Sequence, residues 1–334
     1  MTLRNLLQKS MLLALVLAIP ATAVFGQEMK LPADKAGKIG VPSGKIAFIK
    51  SDDIWMMNWD GTNQKKVVTA GNADGKISWS PDGKEIAFVR KGSVDLKGPD
   101  YLGGMHKVYD IFLGYVDSAD VNTNWWRRIT DELGGTYPEW QRDGRIIFTK
   151  DVNANKVNAQ MPNYQTCSMD GEGGSFKILK NDWQDPEYME IMPTLSPDSL
   201  YASVVYKGVN QVGMAICPLN LKALTKDIML SKCKVLSGAT GPAWSPDGKW
   251  IAYVTKGMND QAIYITNRDM SQKYMVYKPS MGQVLQTYPL SWSPDSKWIT
   301  FATGDGAVWI IDITGNGLKQ IVGPGLNSAP AWSK

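Results

Sequence analysis

The sequence predicts an all-β fold, a six-bladed β-propeller of four-stranded antiparallel blades closed by a composite blade from both termini. Three observations predict it. A phrase built on Trp-Ser-Pro-Asp-Gly recurs along the 334 residues, no long stretch shows strong period-3.6 patterning, and the two ends carry complementary parts of one repeat.

The phrase reads SWSPDGKEIAFV from Ser78, EWQRDGRIIFT from Glu139, TLSPDSLYASVVY from Thr194, AWSPDGKWIAYV from Ala243 and SWSPDSKWITFA from Ser291. Its anchor positions, Trp79, Trp140, Leu195, Trp244, Trp292 and Trp332, are separated by 61, 55, 49, 48 and 40 residues, intervals that suit one small sheet each. Each copy reads as a hairpin. A short strand ends in Trp-Ser, Pro-Asp-Gly makes the turn, and an alternating apolar strand follows. Proline presets the first turn dihedral, aspartate bonds back to the backbone, and glycine accepts the positive φ of a tight reversal. A further aromatic-rich strand (Asp53–Met57, Ala262–Ile265) and a short strand such as Lys66–Thr69 complete four. The repeated Asp82, Asp143, Asp198, Asp247 and Asp295 are turn residues in this reading, and most tryptophans are wedges between adjacent sheets.

The ends fit the same scheme. AWSK from Ala331 supplies only an inner strand, whereas SGKIAFIK from Ser43 begins with what should follow that strand's turn. Pairing them builds the sixth blade and removes the exposed edges an open ring would leave.

Residues 1–26 read as a signal peptide, with Arg4 and Lys9, an apolar run from Met11 to Ile19, and small residues before a cut after Ala23 or Gly26. That run is far shorter than the roughly 20 residues a membrane span needs. Residues 27–42 form an N-terminal extension and 43–334 the propeller domain, in a protein expected to be periplasmic or secreted. Removing Arg4 and Lys9 lowers the formal net charge of +4 to about +2. This balance argues against a nucleic-acid partner. With His106 the only histidine and three cysteines, a zinc site of usual ligand count and a haem attachment motif are both excluded, so neither a metal nor another cofactor is expected. An oxidising compartment permits a disulfide between Cys217 and Cys233, whose segments antiparallel neighbours could bring together; two buried thiols are the alternative. Cys167 reads as a packed core residue.

The Trp-Ser-Pro-Asp-Gly-Lys-x-Ile-Ala-Phe phrase resembles that of the TolB-like propellers, a Pro-Asp repeat family related in shape to tryptophan–aspartate repeats, over residues 43 to 334. The family's namesake has an α/β domain before its propeller; here only 16 residues, Gln27 to Pro42, precede the first strand. The resemblance implies the propeller fold and a platform that docks envelope or other periplasmic proteins. Related propellers suggest two further functions. One is an accessory subunit of a larger periplasmic enzyme complex of multi-haem redox type, as the haem-free propeller of hydrazine synthase is. The other is a carbohydrate-binding or carbohydrate-cleaving propeller. Oligogalacturonate lyases of similar repeat type bind their metal through several histidines, which one histidine cannot reproduce.

In a propeller the Pro-Asp-Gly turns fall on one face and the remaining connections on the other. The long excursions Gly92–Lys107, Asp151–Asn163, Asn181–Met189 and Pro279–Tyr288 belong to the second face and read as binding loops. They place Asp100, Tyr101, Met105, His106, Met161, Trp183, Asp185, Glu187 and Tyr188 there as a partner-binding face of aromatic, methionine and acidic groups. No catalytic residue is assigned. A triad needs a positioned nucleophile beside His106, and no Gly-x-Ser-x-Gly elbow occurs. Trp125 and Trp126 depart from the repeat, and strand alternation turns one of them outward.

Overall fold

The computed structural model describes residues 29–95, 105–116, 126–130, 134–151, 164–179, 189–207, 212–220, 231–255, 261–286 and 290–334. Apart from a single helical turn, α1 (Ala33–Ala36), and two helical residues, Ser231 and Lys232, the regular elements among them are strands, grouped in six four-stranded antiparallel sheets. Blade 1 joins β24 (Asn327–Trp332) to β1 (Lys45–Lys50), β2 (Asp53–Asn58) and β3 (Lys65–Val68). Blade 2 is β4 (Ala73–Trp79), β5 (Glu85–Asp95), β6 (Met105–Tyr115) and β7 (Trp126–Arg128). Blade 3 is β8 (Thr136–Trp140), β9 (Arg145–Asp151), β10 (Tyr164–Asp170) and β11 (Lys177–Ile178). Blade 4 is β12 (Met189–Leu195), β13 (Tyr201–Lys207), β14 (Val212–Pro218) and β15 (Lys234–Ser237). Blade 5 is β16 (Ala239–Trp244), β17 (Ile251–Thr255), β18 (Ile263–Thr266) and β19 (Lys273–Tyr277). Blade 6 is β20 (Ser291–Trp292), β21 (Trp298–Ala302), β22 (Val308–Asp312) and β23 (Lys319–Val322). None of the described helices is long and apolar enough to cross a membrane.

The ring closes where the repeat said it would. β24 pairs antiparallel with β1, setting Trp332 opposite Ile46 and Ala331 opposite Ala47. The Trp332 indole donates to Ser43 O (2.7 Å), and Ser333 N to Lys45 O (2.8 Å). Each Trp-Ser-Pro-Asp turn is fastened identically. Ser80 Oγ donates to Asp82 (2.7 Å) and accepts from Glu85 N (2.9 Å), while Asp82 accepts from Lys84 N (3.1 Å). Ser245 with Asp247, Ser293 with Asp295 and Ser196 with Asp198 repeat the knot. The aspartates therefore hold turns. Gly83 takes the positive φ (71°), and Ser296 tolerates it (61°) where the phrase reads Pro-Asp-Ser.

Apolar residues of facing sheets fill the space between blades. Trp79, Phe88, Ile54 and Ala331 share one cluster, and Trp292, Ala252, Ile263 and Phe301 another. The indoles stitch inner strands together, Trp79 donating to Ala331 O and Trp292 to Ala243 O (both 2.9 Å). Trp126 packs edge-on against Phe112 (5.1 Å between centroids).

Two features go beyond the sequence reading. Residues 29–40 form a strap over blades 5 and 6: Met29 O accepts from Met275 N (3.0 Å), Leu31 and Ala36 are buried, and Trp298 donates to Gly40 O (3.1 Å). Both described ends of Gly92–Lys107, a segment read as a loop, form a β-ribbon, because β5 and β6 stay paired out to Asp95 opposite Met105. Cys217 and Cys233, 4.5 Å apart at Cα, are joined as a disulfide flanking the β14–β15 pairing; Cys167 is a buried thiol outside any disulfide.

Candidate functional site

The innermost strands converge on a central channel, and their sequences share a device. Tyr137, Met192, Gly241 and Ala329 adopt positive φ (55°, 55°, 61° and 50°), and each is followed by proline: Pro138, Pro193, Pro242 and Pro330. Pairing with the neighbouring strand slips at each of these places, the mark of a β-bulge. Proline suits this position because its missing N–H leaves no ladder bond unmade. In blade 2 the left-handed residue is Gly75 (φ 70°), and the next position holds Lys76 in place of proline. The residue just before each anchor then lines the channel: Ser78, Glu139, Thr194, Ala243, Ser291 and Ala331.

The channel end on the turn face is a cavity of about 120 Å³, walled in part by Trp79, Trp244, Trp292 and Trp332. Its charged lining residues are Lys76, Lys334 and Glu139. Lys76 forms an ion pair with Glu139, whose other oxygen accepts from Thr194 Oγ1 (2.7 Å). Lys334, reaching across from blade 1, donates to Trp140 O in blade 3, and Arg142 in blade 3 donates to Pro246 O in blade 5 (2.7 Å). Lys334 as a residue is exposed, yet its Nζ turns inward, and burial lowers its pKa to about 8. Glu139 opposes that shift, whereas Lys76 and Arg142 add to it. The sequence reading missed these four residues. The available signal was the proline two places before the anchor in four blades, a place that Ile77, next to Lys76, takes in blade 2.

Of the residues singled out in the sequence, Asp100, Tyr101, Met161, Trp183, Asp185, Glu187, Tyr188 and Trp125 lie outside the described residues. Met105 and His106 have backbone positions in β6, opposite Asp95 and Val94 on the ribbon. At the ribbon base a cleft of about 310 Å³ is lined by Arg90, Lys91, Asp110, Phe112 and Arg128 among others. Arg90 stacks over Trp126 (4.3 Å) and Phe112 (5.2 Å), while Asp110 accepts from Thr130 Oγ1 (2.8 Å) and faces Arg128 (3.7 Å). Farther round, Met281, Val284 and Leu326 are 104%, 54% and 80% exposed. The backbone links them: Val284 O accepts from Gly304 N (2.6 Å), and Asp305 O from Gly325 N (3.0 Å). Among the described residues no cluster of three or more histidine, cysteine or acidic side chains is placed to hold a metal ion.

No family model matches the chain, and no curated protein is similar to it in sequence. Solved structures are similar in fold. TolB from Acinetobacter baumannii superposes with a TM-score of 0.63 at 19% identity, covering 88% of this chain and 68% of that one. A protein described as TolB from Agrobacterium tumefaciens gives 0.56 at 12%, covering 88% and 99%. A chain of a nidogen/laminin complex gives 0.57 at 8%, covering 86% and 97%. At such identities the likeness is one of fold, and in fold this chain is a TolB-like six-bladed β-propeller.

Proposed function

We propose that this protein is a non-catalytic extracytoplasmic scaffold that holds a protein partner on its loop-rich face. The observation that carries the reading is the apolar group Met281, Val284 and Leu326, left bare on that face by connections fastened to one another through backbone hydrogen bonds. Large side chains held exposed on a rigid surface are characteristic of contact sites. The aromatic-cationic cleft at the ribbon base lies on the same face. The reading includes Asp100, Tyr101, Met161, Trp183, Asp185, Glu187 and Tyr188 in the contact surface, on the sequence pattern alone. The reading takes residues 1–26 as a leader for export, and the Cys217–Cys233 bridge suits an oxidising compartment.

Site-specific photo-crosslinking in cells tests the proposal. A photoreactive residue at Met281 or Leu326 should give one discrete protein adduct, and one at Lys84 or Lys249 on the turn face should not give that adduct. Combining Met281→Asp with Leu326→Asp should prevent crosslinking from Val284. Equal adducts from both faces, or none from the loop-rich face, would refute the assignment.

A further inference from the structure

We propose that the turn-face mouth of the channel is a second binding site, separate from the loop-rich face, that takes a carboxylate of an acidic peptide segment. Lys76 and Lys334 line it from blades 2 and 1, Arg142 of blade 3 reaches the lining residue Pro246 at the rim, and Glu139 is the only acidic side chain among the described residues that line the cavity. Glu139 is already engaged by Lys76 and Thr194. Lys334 donates instead to the carbonyl oxygen of Trp140, which holds its buried head group without neutralising it, while Arg142, exposed at the rim, donates to that of Pro246. A cation drawn out of water without a counter-charge is unfavourable, and an entering anion relieves it. Burial depresses the Lys334 pKa although Glu139 pulls it the other way, so the acidic group already in the cavity offsets the desolvation only in part.

Size and charge narrow the ligand. A cavity of about 120 Å³ with tryptophan walls admits a carboxylate and its methylene stem, and the apolar walls strengthen a charged contact inside. Glu139 stays within the cavity and repels a dianion more than a monoanion, which favours a carboxylate over a phosphate. The turns at the rim are short, so an extended peptide can lie across the opening and lower one glutamate side chain into it. Arg142 and Lys334, both exposed at the rim, meet such a segment first.

The test is an NMR titration of the full-length mature protein, carrying lysine labelled at Cε, with capped tri-glutamate at neutral pH. The expected result is a saturable shift of the Lys334 and Lys76 signals, with the Lys334 titration midpoint moving upward as the anion binds. Combining Arg142→Gln with Lys334→Met should weaken binding about tenfold or more, and Lys334→Arg should retain it. The lysine arm keeps the test decisive if the double variant misfolds. Absence of a saturable shift, equal binding of capped tri-lysine, or tighter binding of inorganic phosphate than of tri-glutamate would overturn the proposal. Because no partner protein is needed, these outcomes are read separately from crosslinking on the loop-rich face.

Discussion

Trp332→Ala attacks the seam of the ring. The side chain is 3% exposed and packs with Ile46, Phe48 and Trp298, while its indole donates to Ser43 O at 2.7 Å. Truncating a buried tryptophan costs about 3–5 kcal/mol through lost contacts and the cavity left behind. Orphaning the Ser43 carbonyl adds about 1 kcal/mol. The sum, about 4–6 kcal/mol, is a large share of the roughly 5–15 kcal/mol that holds a typical domain folded. Urea unfolding followed by tryptophan fluorescence and far-ultraviolet circular dichroism reads it as a large fall in midpoint at little-changed slope. Trp332→Phe retains most of the packing and should lose only about 1–2 kcal/mol. Leu326→Ala, at an 80% exposed position, should stay within about 0.5 kcal/mol of the parent. A loss below about 1 kcal/mol for Trp332→Ala would show that β24 does not seal the ring, and the reasoning would fail.

Three further perturbations follow from the same structure. Alkylation of the unfolded protein should modify only Cys167 without reductant and all three cysteines with it, and opening the Cys217–Cys233 link, which spans 16 positions, should lower stability by about 3 kcal/mol in urea titrations. Asp198→Ala releases Ser196 Oγ, Leu200 N and Arg268, and should cost about 1–2 kcal/mol by thermal unfolding. Burial raises the Asp198 pKa, but bonds from Ser196, Leu200 and Arg268 outweigh it and hold the pKa below the ordinary value. Its stabilisation is therefore present above the unfolded pKa of about 4 and lost as pH falls through the lower native value, a loss Asp198→Ala should no longer show. Lys334 has the opposite dependence. Its native pKa of about 8 lies below the ordinary 10.5, so both states are protonated below pH 8 and the native penalty is complete there. As pH rises from about 8 toward 10.5 the native state releases its proton first and stability increases, a gain that Lys334→Met should abolish.

Much of the fold could be read directly from the chain because one local event, the Trp-Ser-Pro-Asp turn, marks the same hairpin in successive blades. Asp82, Asp198, Asp247 and Asp295 are bonded as turn chemistry requires, and the Ala331–Trp332 fragment finds its partner in β1. The channel was not legible. Which side chains enter it depends on bulges at Gly75, Tyr137, Met192, Gly241 and Ala329, and one slipped residue exchanges the inward and outward sets of a strand. Glu139 and Lys76 therefore looked like ordinary polar strand residues. The ribbon at Lys91-Gly92-Ser93 escaped notice for another reason: backbone pairing extends it beyond the core, and Gly92 and Ser93 are exposed, so no apolar alternation records it. The strap is held by two small buried anchors, Leu31 and Ala36, and by main-chain acceptors reached from Lys297 and Trp298. Such contacts leave no periodicity to detect.

Everything proposed for the two faces requires a rigid ring in which β24 and β1 are as firmly paired as any interior strands. Native-state hydrogen exchange of the peptide spanning Asn327–Trp332 measures that pairing directly. The closed ring predicts protection equal to that of Ile251–Thr255 in the middle of blade 5, with both segments opening only on global unfolding. Exchange of Asn327–Trp332 within seconds, while Ile251–Thr255 stays protected, would mean an open seam and would contradict the account.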